Sequence, residues 1–184
     1  MSNNGSPAIY EGAFASRVLA QNLETLAPFS SELGPWVAAP GGLLQGRFGF
    51  GDLNTGLAAN APTGPVYVCA VVVPLESTSG ANGGVIGGPA RFGGPQARWT
   101  WQTYDRVFKA WRMREGIVAT LMSRGAFYLR FAGGANYGDT VYASLTDGSA
   151  QSGAVAGSVA TPFKVCSNAG AGCLAIVSSS AKFN

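Results

Sequence analysis

One stretch, residues 112–148, constrains the fold more than any other. It holds three short runs rich in β-branched and aromatic residues, at 117–122, 126–131 and 140–146. Ser123-Arg124-Gly125, Ala132-Gly133-Gly134-Ala135-Asn136 and Gly138-Asp139 separate them, and Asp147-Gly148 closes the stretch. Short β-favouring runs punctuated by Gly turns predict consecutive antiparallel strands. Asp-Gly is a hairpin signal, because both central residues of a type I′ turn take positive φ. Within 126–131, Phe127, Leu129 and Phe131 alternate with Tyr128 and Arg130, so one face is apolar and the other reaches water.

A chain of 184 residues is by default one domain. At this size it buries roughly 70% of its unfolded surface and needs no disulfide. Only 11% of its residues are charged and 27 are Gly, whereas globular proteins average about 25% charged and about 7% Gly. A surface so poor in charge is prone to association. Either the chain is a β-protein with many Gly turns or other subunits cover much of it, and the two are compatible.

The formal net charge is +3, with basic residues concentrated between Arg91 and Arg130. Arg98, Arg106, Lys109, Arg112, Arg114 and Arg124 read as solvated outer faces of strands, because no dense basic run of the nucleic-acid type occurs. Cys69, Cys166 and Cys173 are an odd set, and the N-terminus lacks a secretory pattern. A reduced, intracellular site of synthesis is therefore expected, with the three thiols as small buried apolar groups. No apolar run approaches the ~18 residues of a spanning helix, so no membrane partner is expected.

Along the chain, residues 1–9 read as a polar tail. Phe14, Val18, Leu19, Leu23 and Leu26 have helix-like spacing, so 13–26 is either a helix or an extended arm. Pro28, Gly34-Pro35 and Pro40-Gly41-Gly42 punctuate a loop bearing Phe29 and Trp36, which need a surface to pack on, either the domain or a partner. Arg47-Phe48-Gly49-Phe50 reads as a strand. Asp52-Leu53-Asn54-Thr55-Gly56 reads as a turn rather than a calcium loop, whose terminal Glu is absent. The apolar run 66–75 predicts a central strand buried on both faces. Residues 76–94 form a long Gly-rich loop without a phosphate-binding motif. Residues 98–111 are aromatic and basic and read as a hairpin or loop with a polar outer face. The rival is a stacking surface for single-stranded nucleic acid. A small-residue strand or connection follows near 155–159, then strands at 162–167, opening on Pro162, and at 173–178, with a turn at 168–172.

The chain has no His, which removes Ser-His-Asp and Cys-His nucleophile arrangements and the common histidine metal sites. It has no G-x-S-x-G elbow, P-loop or CxxC. Its few carboxylates sit mostly beside Gly or in turns. The expectation is a non-enzyme with no cofactor and no metal.

The C-terminal half carries, in order, Arg114-Glu115-Gly116, Val118, Thr120-Leu121, Gly125, Phe127-Tyr128, Ala135, Gly138-Asp139, Val141-Tyr142-Ala143 and Asp147-Gly148. This succession resembles that of bacteriophage capsid cement proteins, the decoration or head-stabilising family. Thr161-Pro162-Phe163-Lys164-Val165 with Gly170 and Gly172 fits the family's ending, and Phe48-Gly49-Phe50-Gly51-Asp52 with Thr55-Gly56 fits its aromatic strand and Asp turn. The likeness covers roughly 44–75 and 110–178. The segment 77–100 is longer and richer in Gly than the family's, and Cys173 stands where an acidic residue often follows Gly.

The resemblance implies a virion protein, made in the bacterial host's cytoplasm, that sits on the capsid's outer surface. It would bridge major capsid subunits against genome pressure and act as a homodimer or homotrimer. The expected fold is all-β, a single antiparallel β-barrel or jelly-roll-like sandwich. Residues 1–43 would form an N-terminal arm (extended or a short helix) and 44–184 the β-domain, with a Gly-rich insertion near 76–98. Tyr10, Phe14, Arg17, Phe29 and Trp36 are the candidate capsid or subunit contacts, from their place in a broken segment. Two rivals stay open. One is a receptor- or carbohydrate-binding module of a phage tail using Trp99, Trp101 and Trp111. The other is a single-strand nucleic-acid binder using 98–114, which the scattered charge disfavours.

Overall fold

The computed structural model describes residues 36–72, 102–108, 110–119 and 121–179. They carry fourteen strands: β1 (Trp36–Ala38), β2 (Leu43–Leu44), β3 (Phe48–Asp52), β4 (Leu57–Ala59), β5 (Tyr67–Val72), β6 (Gln102–Asp105) and β7 (Ala110–Met113). β8 (Val118–Ala119), β9 (Leu121–Met122), β10 (Ala126–Phe131), β11 (Thr140–Ser144), β12 (Ala150–Ser152), β13 (Ser158–Val165) and β14 (Cys173–Ser178) complete the set. The expected helix or arm before Trp36 and the Gly-rich insertion near 76–98 lie outside the described residues.

The protein is all-β, with two barrel-like sheets and a smaller one. The C-terminal strands close into a five-stranded barrel in the order β10-β12-β11-β13-β14. The second sheet has the order β8-β1-β4-β3-β5-β9. Its two edges, β8 and β9, are neighbours in sequence, β8 pairing with β1 and β9 with β5, and the sheet is barrel-like. The third sheet, β2-β7-β6, places Leu43 and Met113 in the core of this second barrel.

β3 and β5 form a wall shared by both barrels. Side chains alternate across a strand, and here both faces are covered. Phe48, Phe50 and Val71 point into the C-terminal core, while Ala70 and Val72 point into the other. The expectation of a strand buried on both faces within 66–75 holds for Ala70, Val71 and Val72. Gly49 and Gly51 take the positions facing the second core because nothing larger fits there. A Cβ on Gly51 would lie 2.7 Å from the Trp36 ring, and one on Gly49 would lie 2.5 Å from a Leu121 methyl.

Several expectations are corrected. The runs at 117–122, 126–131 and 140–146 are strands, but they do not pair consecutively. β9 pairs with β5, and β10 pairs along its whole length with β14, from Ala126↔Ser178 to Phe131↔Cys173. The 123–125 turn carries the chain from one sheet to the other, and the 132–139 loop crosses the barrel, bridging Ala135 to Ala169, so β11 arrives beside β13. Two pairs are parallel, β1 with β4 and β10 with β12. Pro162 lies inside β13, not at its start, and β13 is paired on both sides. The register slips there, because Tyr142 faces Ala160 whereas Thr140 faces Lys164. This bulge suits a residue without an N–H. The Thr161 hydroxyl donates to Val141 O at 2.7 Å within the bulge.

The Asp147-Gly148 hairpin joins β11 and β12 as expected, with Gly148 at φ +68. A side chain on Gly148 would overlap the Phe48 carbonyl, and the Phe48 N–H donates to Gly148 O at 2.8 Å, joining the wall to this turn. Buried Asn60 stitches the same corner. Its Oδ1 accepts the Leu44 N–H at 2.6 Å, and its Nδ2 donates to Leu44 O and Phe48 O.

Candidate interaction surface

Trp36, one of the five candidate contacts, is 4% exposed and belongs to the second barrel's core. The surface it needed is the domain itself. Residues 36–43, assigned to the arm by the sequence, hold β1, the Pro-Gly-Gly loop and the first residue of β2. Tyr10, Phe14, Arg17 and Phe29 lie outside the described residues, as do Trp99 and Trp101. Trp111 is half-buried on β7 and meets Tyr104 edge-on, with centroids 5.5 Å apart.

The 98–111 aromatic and basic segment, where described, is the antiparallel hairpin β6–β7. Its turn includes Arg106, Val107 and Phe108, and apolar side chains are exposed on it. Val107 is 84% exposed, Tyr104 51% and Phe108 37%. Hairpin turns ordinarily carry Gly, Asn or Asp there.

The tip is held by a chain of polar contacts. Asp105 Oδ1 accepts the N–H groups of Val107 and Phe108 at 3.0 and 3.1 Å. Its Oδ2 accepts Arg112 Nε and Nη2 at 3.1 and 2.8 Å, a forked ion pair. These Arg112 and Phe108 bonds hold the Asp105 carboxyl below the usual carboxylate range. Arg112 Nη1 also donates to Gly41 O at 2.8 Å, tying the hairpin to the β1–β2 loop. Phe108 lies beneath two guanidinium groups, 4.9 Å from Arg47 Cζ and 5.7 Å from Arg112 Cζ.

Arg47 continues the chain into the C-terminal barrel. Its Nη1 meets Asp147 Oδ2 at 2.5 Å, on the β11–β12 turn. Burial works to raise the Asp147 pKa, but bonds from Ser149 and Ser144 and the Arg47 charge outweigh it, and the carboxyl stays below its ordinary value. Asp139 is likewise lowered, by the Ser152 hydroxyl and the Asn136 N–H. The line Asp105–Arg112–Phe108–Arg47–Asp147 therefore runs from the tip to both barrels. The sequence singled out Phe108 and Arg112 as part of a basic aromatic segment. It had no signal for Arg47 and Asp147, which lie 100 residues apart.

The remaining large exposed apolar residues sit elsewhere. Leu53 and Val66 flank the far end of the wall, Val118 lies on β8, Tyr137 on the 132–139 loop and Val155 on the β12–β13 loop. Asp52 forms a local turn, its Oδ1 accepting the Asn54 N–H at 2.8 Å. Among the described residues, no group of three His, Cys, Asp or Glu could hold a metal ion. The cysteines are unbridged. Burial pushes the Cys69 thiol up to about 12 and raises Cys166, whereas Cys173 is exposed and departs from the expected buried state. No family model matches the chain, and no curated protein matches it in sequence.

Proposed function

We propose that this chain is a virion structural protein that binds the outer surface of a bacteriophage capsid and cements neighbouring major capsid subunits. It acts as a homodimer or homotrimer and supports the head against genome pressure. We read it as a non-enzymatic protein, made in the host cytoplasm and carried on the capsid exterior. The finer fold expectation, a jelly-roll-like sandwich with an N-terminal arm, belongs to the same reading.

The observation that carries it is the distribution of exposed apolar side chains. They occupy the β6–β7 tip, the Leu53–Val66 end of the wall, β8 and two separate loops of the C-terminal barrel. One ligand pocket would gather such residues into a single concavity. A bridging protein needs several modest contacts with different neighbours, whose avidity adds through symmetry. A body of two fused barrels with a low charged fraction suits that role, and the ordered motif succession at 44–75 and 110–178 favours it.

The test is copy number in purified particles, by sedimentation and quantitative mass spectrometry. The expected result is hundreds of copies in a fixed ratio to the main shell protein. A handful would favour a tail module, and absence would remove the proposal.

A further inference from the structure

The β6–β7 tip stands out chemically from the other exposed apolar residues. Val107 is the most exposed of the large hydrophobic residues described, yet the backbone beneath it is fixed by Asp105, and its neighbour Phe108 is held by two guanidinium groups. Interface hot spots combine aromatic residues with Arg, and a surface ordered before contact loses less entropy on binding.

Charge adds a second, independent argument. Residues 102–113 contain three basic residues, Arg106, Lys109 and Arg112, and one acid, Asp105. Two of the chain's three net positive charges are therefore concentrated on this hairpin. Asp105 already pairs with Arg112, so the surplus comes from Arg106 and Lys109, which flank Val107 and Phe108 in sequence. The complement is an apolar pocket with carboxylates at its rim. A polyphosphate strand fits less well, because the most exposed side chain is aliphatic and offers nothing to a phosphate or a base.

We propose that the β6–β7 tip is the anchor that seats this chain on a shell subunit, with Val107 and Phe108 entering an apolar pocket bordered by Asp or Glu side chains. This inference rests on the cement reading above. Arg106 supplies attraction and orientation more than bound-state affinity, so salt slows association.

The test is co-sedimentation of the full chain with shells assembled from the major capsid subunit alone, comparing wild type, Val107→Asp, Phe108→Ala, Arg106→Glu and the control Val155→Asp. Val107→Asp is expected to weaken binding at least about tenfold with an unchanged melting temperature. Phe108→Ala should weaken it too, and Val155→Asp by much less. Arg106→Glu should flatten the salt dependence of association. Wild-type binding with undiminished Val107→Asp binding overturns the anchor and leaves the cement reading standing. No wild-type binding overturns both. A Val107→Asp variant that changes its oligomeric mass assigns the tip to a second copy, and one that melts lower assigns it to this chain's own residues; either result overturns the anchor. So does Val107-dependent binding to anionic phospholipid vesicles without binding to shells.

Discussion

The two barrels fill their interiors by opposite means. In the C-terminal one, Phe127, Leu129, Phe131, Val141, Phe163, Val165 and Val177 enter from four of its strands, and the Phe163 ring meets those of Phe127 and Phe48 at 5.8 and 6.0 Å. In the other, Ala38, Ala58, Ala70 and Ala119 line the walls, and one indole, Trp36, lies directly over Gly51. The first centres on a cluster of Phe rings, and the second packs one ring, Trp36, and the aliphatic chains of Leu43, Val72, Met113 and Leu121 against small residues. The Phe cluster should therefore be most sensitive to lost volume, and the Gly49 and Gly51 face of the second core to added volume. The shared wall of β3 and β5 obeys both rules at once, with Phe48 and Phe50 on the face toward the C-terminal core and Gly49 and Gly51 on the other.

The largest effect should come from removing volume at the aromatic cluster. Phe163→Ala should lower stability by about 3–5 kcal/mol, read by urea denaturation. Phe48→Ala is the sharper version, because Phe48 belongs to the wall. Amide hydrogen exchange should then rise in both barrels; a rise confined to 126–178 would mean that the barrels are energetically separate.

Adding a single methyl tests the other half. Gly51→Ala should cost about 1–3 kcal/mol, because Cβ must displace the Trp36 ring. Trp36→Leu in that background should cost less than it does alone, and an additive double-mutant cycle would contradict the contact.

A smaller effect is expected at the Pro162 bulge. Thr161→Val keeps the shape but loses the hydroxyl donated to Val141 O, and should cost about 1 kcal/mol by thermal or urea unfolding. A neutral result would mean that the bulge is held by packing alone.

The smallest concerns acid. Asp105, Asp139 and Asp147 all have folded pKa values below the ordinary carboxylate value. The unfolded chain binds their protons first, so their contribution is present above about pH 4 and fades as pH falls through the lower folded values. Asp105 and Asp139 are well solvated, so water screens the gain. Stability measured from pH 6 down to pH 2 should decline below about pH 4, and Asp147→Asn should shrink the slope. Asp147 is the best test because Arg47 links it to the other barrel.

The sequential pairings that a strand-rich sequence suggests are a weaker guide than the strands themselves. Runs such as 126–131, 140–144 and 173–178 were legible because alternation and β-branching are local properties of neighbouring residues. The turns at Asp52–Gly56 and Asp147-Gly148 were legible for the same reason, since side-chain bonds and positive φ act within a few residues. The hairpin at 102–113 was anticipated as one alternative, but not the exposure of Val107, which depends on what packs beside it.

What the sequence determined by itself was the all-β class, the positions of most strands and turns, and a wall strand within 66–75, whose burial on both sides holds at 70–72 but not at exposed Val66. Tertiary structure alone decided the partners. Alternation cannot distinguish a strand whose neighbour is next in sequence from β10, whose partner β14 begins more than forty residues later. It also decided that Trp36 is core, because the space for the indole is left by Gly51 on another strand. The polar line from Asp105 to Asp147 is likewise invisible in one dimension, for its charges meet only after both barrels have closed.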